Sequence, residues 1–142
     1  MGRYQVLEEM ALADCALAIE GDDLDDLFET AAAALGEMMV DPTTLPITVE
    51  HTVRLTAPAL DLLFYDWLSE LIYRKDRDRE VFTRTEVQVN PSSPCQLTAR
   101  LYGGVIDPER TALGIDLKAV TFHEFTMHSV DGAWRAQVVI DV

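Results

Sequence analysis

The sequence predicts an α+β fold: a single compact domain in which a mainly antiparallel sheet carries two amphipathic helices. About seven segments alternate between apolar and polar residues, which is typical of half-buried strands. The two helical segments are grouped between these strands and do not alternate with them one by one, as they would in a parallel α/β fold. Asp131-Gly132, between two such segments, is a strong signal for a two-residue hairpin. A chain of 142 residues with 49% hydrophobic content is long enough to bury roughly two-thirds of its unfolded surface.

The first elements are two short strands, predicted over residues 3–9 and 15–20, followed by a helix. Asp22 is the expected N-cap of this helix, and further acidic residues in its first turn suit the helix dipole. Asp41-Pro42 is expected to end it. The apolar face is spaced three and four residues apart and comprises Leu24, Leu27, Phe28, Ala31, Leu35, Met38 and Met39.

Strict alternation over residues 47–55 predicts a half-buried strand. His51 takes an apolar position in it, and we interpret it as an inward or edge histidine with a satisfied partner. Thr56 is the expected cap of the second helix, with Pro58 tolerated in its first turn. The core stripe of this helix comprises Leu60, Leu63, Phe64, Trp67, Leu68, Leu71 and Ile72.

The mixed-charge run 74–80 is predicted to be a solvated loop. Asp76, Asp78 and Glu80 are spaced like the start of a calcium loop, but the glycine that such a loop needs is absent. Beyond it we predict a strand over 81–89, a turn over 90–94, a strand over 97–101 ended by Gly103-Gly104, a loop over 105–114, and strands over 117–128 and 133–141.

The net charge of −14 makes direct nucleic-acid binding unexpected, because such binders carry a basic patch. Residues 1–45 have eleven acidic side chains and one arginine, hence −10, a balance that suits solubility, cations or a basic protein partner. The two cysteines, Cys15 and Cys95, are expected to be buried fillers. No secretory signal or membrane-length apolar run is evident, so the expected location is cytoplasmic, with no membrane partner.

The sequence has no motif of a self-sufficient enzyme. It lacks the glycine-rich phosphate loops, the nucleophile elbow of hydrolases and the His or Cys spacing of transition-metal sites. A stand-alone metal-dependent hydrolase is disfavoured for the same reason. We therefore predict no catalytic residues.

Two features could carry function. Asp14 opens one predicted strand and Asp141 closes another, so their carboxylates would converge on a hard cation if the strands pair antiparallel or meet at one sheet end. Lys118 and His123 lie in one strand, where parity places them on opposite faces unless a bulge intervenes. They are either partner contacts or strand residues with polar tips in solvent.

Several segments resemble the archease family. The similarity is clearest over residues 106–110, over 117–123 with its Lys-Ala-Val-Thr-aromatic-His run, and over 132–142, which ends in the Asp-aliphatic pair. It extends to the two helices, over 21–31 and 61–71. Order and length match over nearly the whole chain, so residues 1–142 are interpreted as one archease-like domain.

The resemblance implies a protein cofactor rather than an enzyme. Archeases assist the GTP-dependent RNA-splicing ligase in tRNA splicing and RNA repair, by promoting guanylylation of the ligase and multiple turnover. Their divalent metal ion (Ca²⁺, Mg²⁺ or Mn²⁺) is bound by an N-terminal aspartate and the C-terminal Asp-aliphatic pair. By position these are Asp14, Asp141 and Val142, the last through a backbone oxygen.

One departure from the family pattern concerns the first aspartate. Archeases usually have His-Thr-Ala-Asp ahead of the first helix, whereas this chain has Ala11-Leu-Ala-Asp14, without the histidine and threonine. The alternative reading is therefore an acidic, chaperone-like protein-binding modulator that does not activate a ligase through a metal ion.

Overall fold

The computed structural model describes residues 2–7 and 14–142. The elements are β1 (Arg3–Val6), β2 (Asp14–Gly21), α1 (Leu24–Met39), a short 3₁₀ helix (Pro42–Thr44), β3 (Val49–Ala57), α2 (Leu60–Asp78), β4 (Glu80–Asn90), β5 (Cys95–Val105), β6 (Ala119–Val130) and β7 (Ala133–Asp141). The predicted α+β class is confirmed. Residues 8 and 9 of the first predicted strand lie outside the described residues.

The strands form two antiparallel sheets rather than one. The first has the order β1-β2-β7-β6 and the second the order β3-β5-β4. Both helices contact strands of both sheets, so one hydrophobic cluster connects the whole domain. Its largest fully buried side chains include Trp67, Phe28 and Phe64, and the Trp67 indole N–H donates to the Phe28 carbonyl at 2.9 Å. Sequence periodicity cannot show that the strands divide into two sheets, because strands of both sheets have the same two-residue period of apolar and polar side chains.

The helix caps differ from the predicted ones. The N-cap of α1 is Asp23, whose carboxylate accepts the Asp26 N–H at 2.8 Å, and not Asp22. Asp22 lies one residue earlier and donates its own N–H to Asp26 at 2.8 Å. Thr56 is not the cap of α2, because β3 continues through it and Ala59 takes the N-cap position without a side-chain bond.

The predicted solvated loop over 74–80 is wrong, since α2 continues to Asp78. Glu70 and Arg74, four residues apart, form an ion pair at 2.7 Å, which supports a helix. Lys75 continues the core spacing of Leu68, Leu71 and Ile72 and is buried. The helix ends where Arg79 takes a left-handed conformation at φ 56°.

Gly103-Gly104 does not end its strand, because β5 runs on to Val105. A Cβ at Gly103 would lie 2.0 Å from the Val81 carbonyl oxygen, and one at Gly104 would lie 2.4 Å from that of Pro46. Gly103 therefore permits close approach of β4 inside the sheet, and Gly104 permits close approach of the segment that leads into β3.

Three local predictions are confirmed. Val130 and Ala133 pair across the hairpin, and Asp131 and Gly132 both have positive φ (51° and 85°), as a two-residue hairpin turn requires. His51 is half-buried, with its Nε2 2.9 Å from a Glu80 carboxylate oxygen. Both cysteines are buried.

Candidate metal centre

Asp14 and Asp141 lie directly opposite each other in the antiparallel pair of β2 and β7. Side chains at directly opposed positions project from the same face of a sheet, with Cβ atoms about 4.5–5.5 Å apart. Asp14 begins β2 and Asp141 ends β7, so the pair lies at one end of the four-stranded sheet. Like charges at such positions repel each other, and a cation held between them would remove that repulsion.

The pair faces away from the helices. Cys15, Leu17 and Ile19 belong to the hydrophobic cluster, so Asp14 is on the other face of β2 by alternation. Asp14, Asp141 and Val142 are all half-buried. These residues are therefore partly shielded from solvent but accessible.

The donor set around this pair suits a hard cation. The Asp141 carbonyl accepts the Lys118 N–H at 2.8 Å, which leaves the two carboxylates and the backbone oxygen of Val142 as candidate ligands. Within residues 2–7 and 14–142, no three His, Cys, Asp or Glu side chains are grouped to hold a metal ion. An all-oxygen set fits Ca²⁺, Mg²⁺ or Mn²⁺, which take six or more ligands, so water or a partner would complete the shell.

Lys118 and His123 are separated by an irregularity of β6, so the simple parity argument does not apply to them. The pairing of β6 with β7 shifts register between Thr121 and Thr126, and Glu124 within the bulge has a positive φ of 52°. Both side chains are exposed. In the part of the chain that the structure describes, no hydrogen bond or ion pair joins them.

Lys118 lines a concavity between α2 and the start of β6. Its lining also includes Tyr65, Ser69 and Asp76, and its volume is about 240 Å³. Beside it, Phe122 stacks on Tyr65 with ring centroids 4.3 Å apart, although Phe122 remains 51% exposed. Lys118 therefore lies beside α2, and its backbone N–H bonds to Asp141.

Lys75 is a residue of this region that sequence reasoning missed. Its ammonium donates to Asp116 Oδ1 at 2.6 Å and to the Leu117 carbonyl at 2.8 Å, and it pairs with Asp76 at 2.5 Å. Burial lowers the pKa of Lys75, but the hydrogen bonds and charges of Asp116 and Asp76 outweigh burial and raise it overall. The spacing of Lys75 from Leu68 and Leu71 is the sequence signal that could have revealed it.

A second polar group lies on the outer face of the four-stranded sheet, at the end opposite the aspartate pair. Glu20 accepts from Arg3 at 2.6 Å and pairs with Arg135 at 2.7 Å, beside a concavity of about 580 Å³. The hydrogen bond from Arg3, with help from Arg135, lowers the pKa of Glu20. This cluster ties β1 and β7 to β2 and was not predicted from the sequence.

The fold and this site define a class of small α+β proteins with an acidic pair at a sheet end. Residues 4–142 match the profile of a family described as "Archease protein family (MTH1598/TM1083)". The chain belongs to the archease family.

Proteins named "Protein archease" are similar over the full length. That of Methanosarcina mazei is 32% identical over 142 residues, covering 99% of this chain and 96% of the relative. That of Pyrococcus abyssi is 31% identical over 144 residues, covering 100% of both chains.

Two solved structures share the fold. The solution structure of protein 1598 of Methanobacterium thermoautotrophicum matches with a TM-score of 0.79 at 30% identity and covers 98% of each chain. A Thermotoga maritima crystal structure, titled an archease and possible chaperone, matches with a TM-score of 0.64 at 17% identity and covers 96% of each chain. The second match shows the fold alone.

Among the described residues, no helix combines the length and the apolar character needed to cross a membrane.

Proposed function

We propose that this chain is a protein cofactor that activates a GTP-dependent RNA-splicing ligase and presents a bound divalent metal ion near the ligase active site. The observation that carries the proposal is the register of β2 against β7, which sets Asp14 directly opposite Asp141. Membership of the archease family supports it independently. The chain itself is not the catalyst in this proposal, and ligase guanylylation and turnover in tRNA splicing are the steps it assists.

In this proposal Asp14, Asp141 and the Val142 backbone oxygen hold the cation. When bound, a divalent ion would neutralise negative charge on phosphate groups. The protein's part is to fix two half-buried carboxylates opposite each other at a sheet end. Lys118 and His123, both exposed, are proposed as partner contacts. The net charge of −14 supports docking on the ligase rather than on RNA. We expect this chain and the ligase to act in the cytoplasm.

The test is RNA ligation by the cognate ligase, with substrate in excess and GTP and Mn²⁺ present. The wild-type chain should increase turnover, whereas Asp14→Asn and Asp141→Asn should abolish the increase while the domain remains folded. Asp131→Asn is the matched control, because Asp131 is an exposed aspartate at the far end of the β6–β7 hairpin, roughly 30 Å along the strand. Full stimulation by both site variants would rule the proposal out.

The second candidate is an acidic, chaperone-like modulator of a partner protein without a metal-dependent role. The absence of the His-Thr pair ahead of Asp14 favours it, and the Thermotoga structure is titled a possible chaperone. The two candidates differ in one outcome. A modulator would bind the ligase equally well in the wild type and in Asp141→Asn, and chelation of divalent ions would leave its effect unchanged.

A further inference from the structure

Lys75 is an unusual residue for the interior of this domain. It is 9% exposed, in the stripe of α2 that otherwise packs apolar side chains into the core. A buried ammonium is costly unless its three donors find acceptors. Lys75 satisfies this condition with three different residues, two of which belong to the segment that leads into β6.

The three acceptors of Lys75 are not equivalent. The side chains of Asp116 and Asp76 are 71% and 56% exposed, so water could replace the ammonium at either carboxylate. Leu117 is 0% exposed, so its carbonyl oxygen is poorly placed to find a substitute. The backbone of Leu117 therefore depends on Lys75 most strongly.

The Leu117 carbonyl that Lys75 holds is close to the candidate metal centre along the chain. Lys118 follows Leu117, and its N–H donates to the Asp141 carbonyl at 2.8 Å. Ala119, the next residue, is the register partner of Asp141 on the side opposite Asp14. The position of the 116–118 segment on α2 thus determines how β6 supports the end of β7.

We infer that Lys75 is a positioning residue for the candidate metal centre: its ammonium holds the Leu117 carbonyl and thereby sets the Lys118 backbone against Asp141. The expected effect of Lys75 on metal affinity rests on the proposed function, whereas its effect on the backbone contact between Lys118 and Asp141 does not. In the absence of the ammonium, the 116–118 segment loses its only bonds to α2 among the described residues other than apolar packing, and Asp141 loses support from β6.

The test measures that backbone contact and metal affinity separately. Lys75→Met keeps an unbranched stem and removes the ammonium, while Asp116→Ala removes only an exposed acceptor and provides a milder variant that should fold. Val87→Ala, a core truncation in the other sheet, is the stability control. Hydrogen exchange of the Lys118 amide reports the bond to Asp141, and calorimetric titration with Mn²⁺ alone reports the affinity of the site.

We expect Lys75→Met to speed exchange of the Lys118 amide and to raise the Kd for Mn²⁺, each about 10-fold, the low end of what supporting residues contribute to metal sites. Asp116→Ala should change both in the same direction by about threefold, and Val87→Ala should change neither once global stability is taken into account. Lys118 exchange within twofold of wild type in both Lys75→Met and Asp116→Ala would overturn the inference. If the wild type binds no Mn²⁺, the metal role under Proposed function fails, while the exchange measurement still decides the role of Lys75.

Discussion

Asp23 closes the first turn of α1, since its carboxylate accepts the Asp26 N–H at 2.8 Å. We expect Asp23→Ala to lower the free energy of unfolding by about 1 kcal/mol, because one N–H of the first turn loses its acceptor. Urea denaturation measures this loss. Glu109→Ala, in an exposed loop, should stay within about 0.5 kcal/mol of wild type. Equal stability of the two variants would contradict the capping role.

Tyr4 donates its hydroxyl to Glu37, across the contact between β1 and α1. Burial first, and then this hydrogen bond and the Glu37 charge, raise the pKa of Tyr4 to about 12. Because the folded-state pKa is raised, the stabilisation from the protonated hydroxyl is complete below the ordinary value near 10 and is lost as pH rises towards 12.

We therefore expect wild-type stability to decline between pH 10 and about 12 more steeply than that of Tyr4→Phe, which has no hydroxyl proton to lose. Denaturation curves at a series of alkaline pH values compare the two proteins. Parallel declines would show that the Tyr4 proton is not linked to folding.

At the scale of the elements, the free edge of β4 is protected by side chains of α1. Glu29 accepts the Val87 N–H and Asp25 accepts the Val89 N–H, each at 2.8 Å. Two acids four residues apart on the helix thus match alternate donors on the strand. Unpaired strand edges invite association with other chains, so this contact also limits aggregation.

Removing the Glu29 acceptor should be destabilising. In Glu29→Ala the partly buried Val87 N–H is left without its partner, at a cost of about 1–3 kcal/mol. The free energy of unfolding and hydrogen exchange of the Val87 amide are the two measurements. Wild-type protection of that amide in the variant would show that the carboxylate is not its acceptor.

The conservative change Glu29→Gln has a different, pH-dependent outcome. Burial, followed by the charges of Asp25, Asp26 and Asp23, raises the pKa of Glu29 despite the bond from Val87. The raised pKa means that ionisation opposes folding, so this penalty is absent below the unfolded-state pKa and grows as pH rises through the folded-state value. Glu29→Gln keeps an acceptor without the charge, so its stability relative to wild type should increase from acid to neutral pH. A pH-independent difference would contradict this.

Gly103 allows the backbones of β5 and β4 to approach closely. In Gly103→Ala a Cβ would lie 2.0 Å from the Val81 carbonyl oxygen, so we expect a loss of about 3 kcal/mol or more, or failure to fold. Gly132→Ala is the control: it has open space but a φ of 85°, so only about 1–2 kcal/mol of backbone strain is expected. Thermal unfolding measures the loss of stability in each variant, and we expect the larger loss in Gly103→Ala.

The sequence predicted elements well where local chemistry alone decides them, as in the Asp131-Gly132 hairpin and the apolar faces of both helices. It failed where tertiary contact decides. Lys75 looks solvated by composition, but it is buried because Asp116 and Leu117, more than forty residues away, supply acceptors. For the site, the sequence predicted that one strand begins at Asp14 and another ends at Asp141. It could not predict that these two strands pair in the register that sets the two residues opposite each other, because no local pattern specifies strand pairing.

At the scale of the whole molecule, the outer face of the four-stranded sheet carries different charged groups at its two ends. The outer face of the four-stranded sheet has two arginines joined through Glu20 at one end and the Asp14–Asp141 pair at the other. In a chain of net charge −14, self-repulsion opposes the folded state, and a cation bound at the acidic end relieves part of it. Metal binding should therefore be linked to global stability.

That linkage gives the last prediction. At a divalent-ion concentration about 100 times the Kd, the wild type should gain about 2.7 kcal/mol, because the ion binds the folded state alone. Asp141→Asn should show little gain, yet without divalent ions it should equal or slightly exceed wild-type stability, since an opposed like-charge pair has been removed. Asp131→Asn should keep the full gain.

Thermal unfolding with Ca²⁺ or Mn²⁺ must be compared with NaCl at equal ionic strength, because any salt screens a net charge of −14. An equal rise in Asp141→Asn and wild type would mean that the stabilising ion binds elsewhere on this acidic surface.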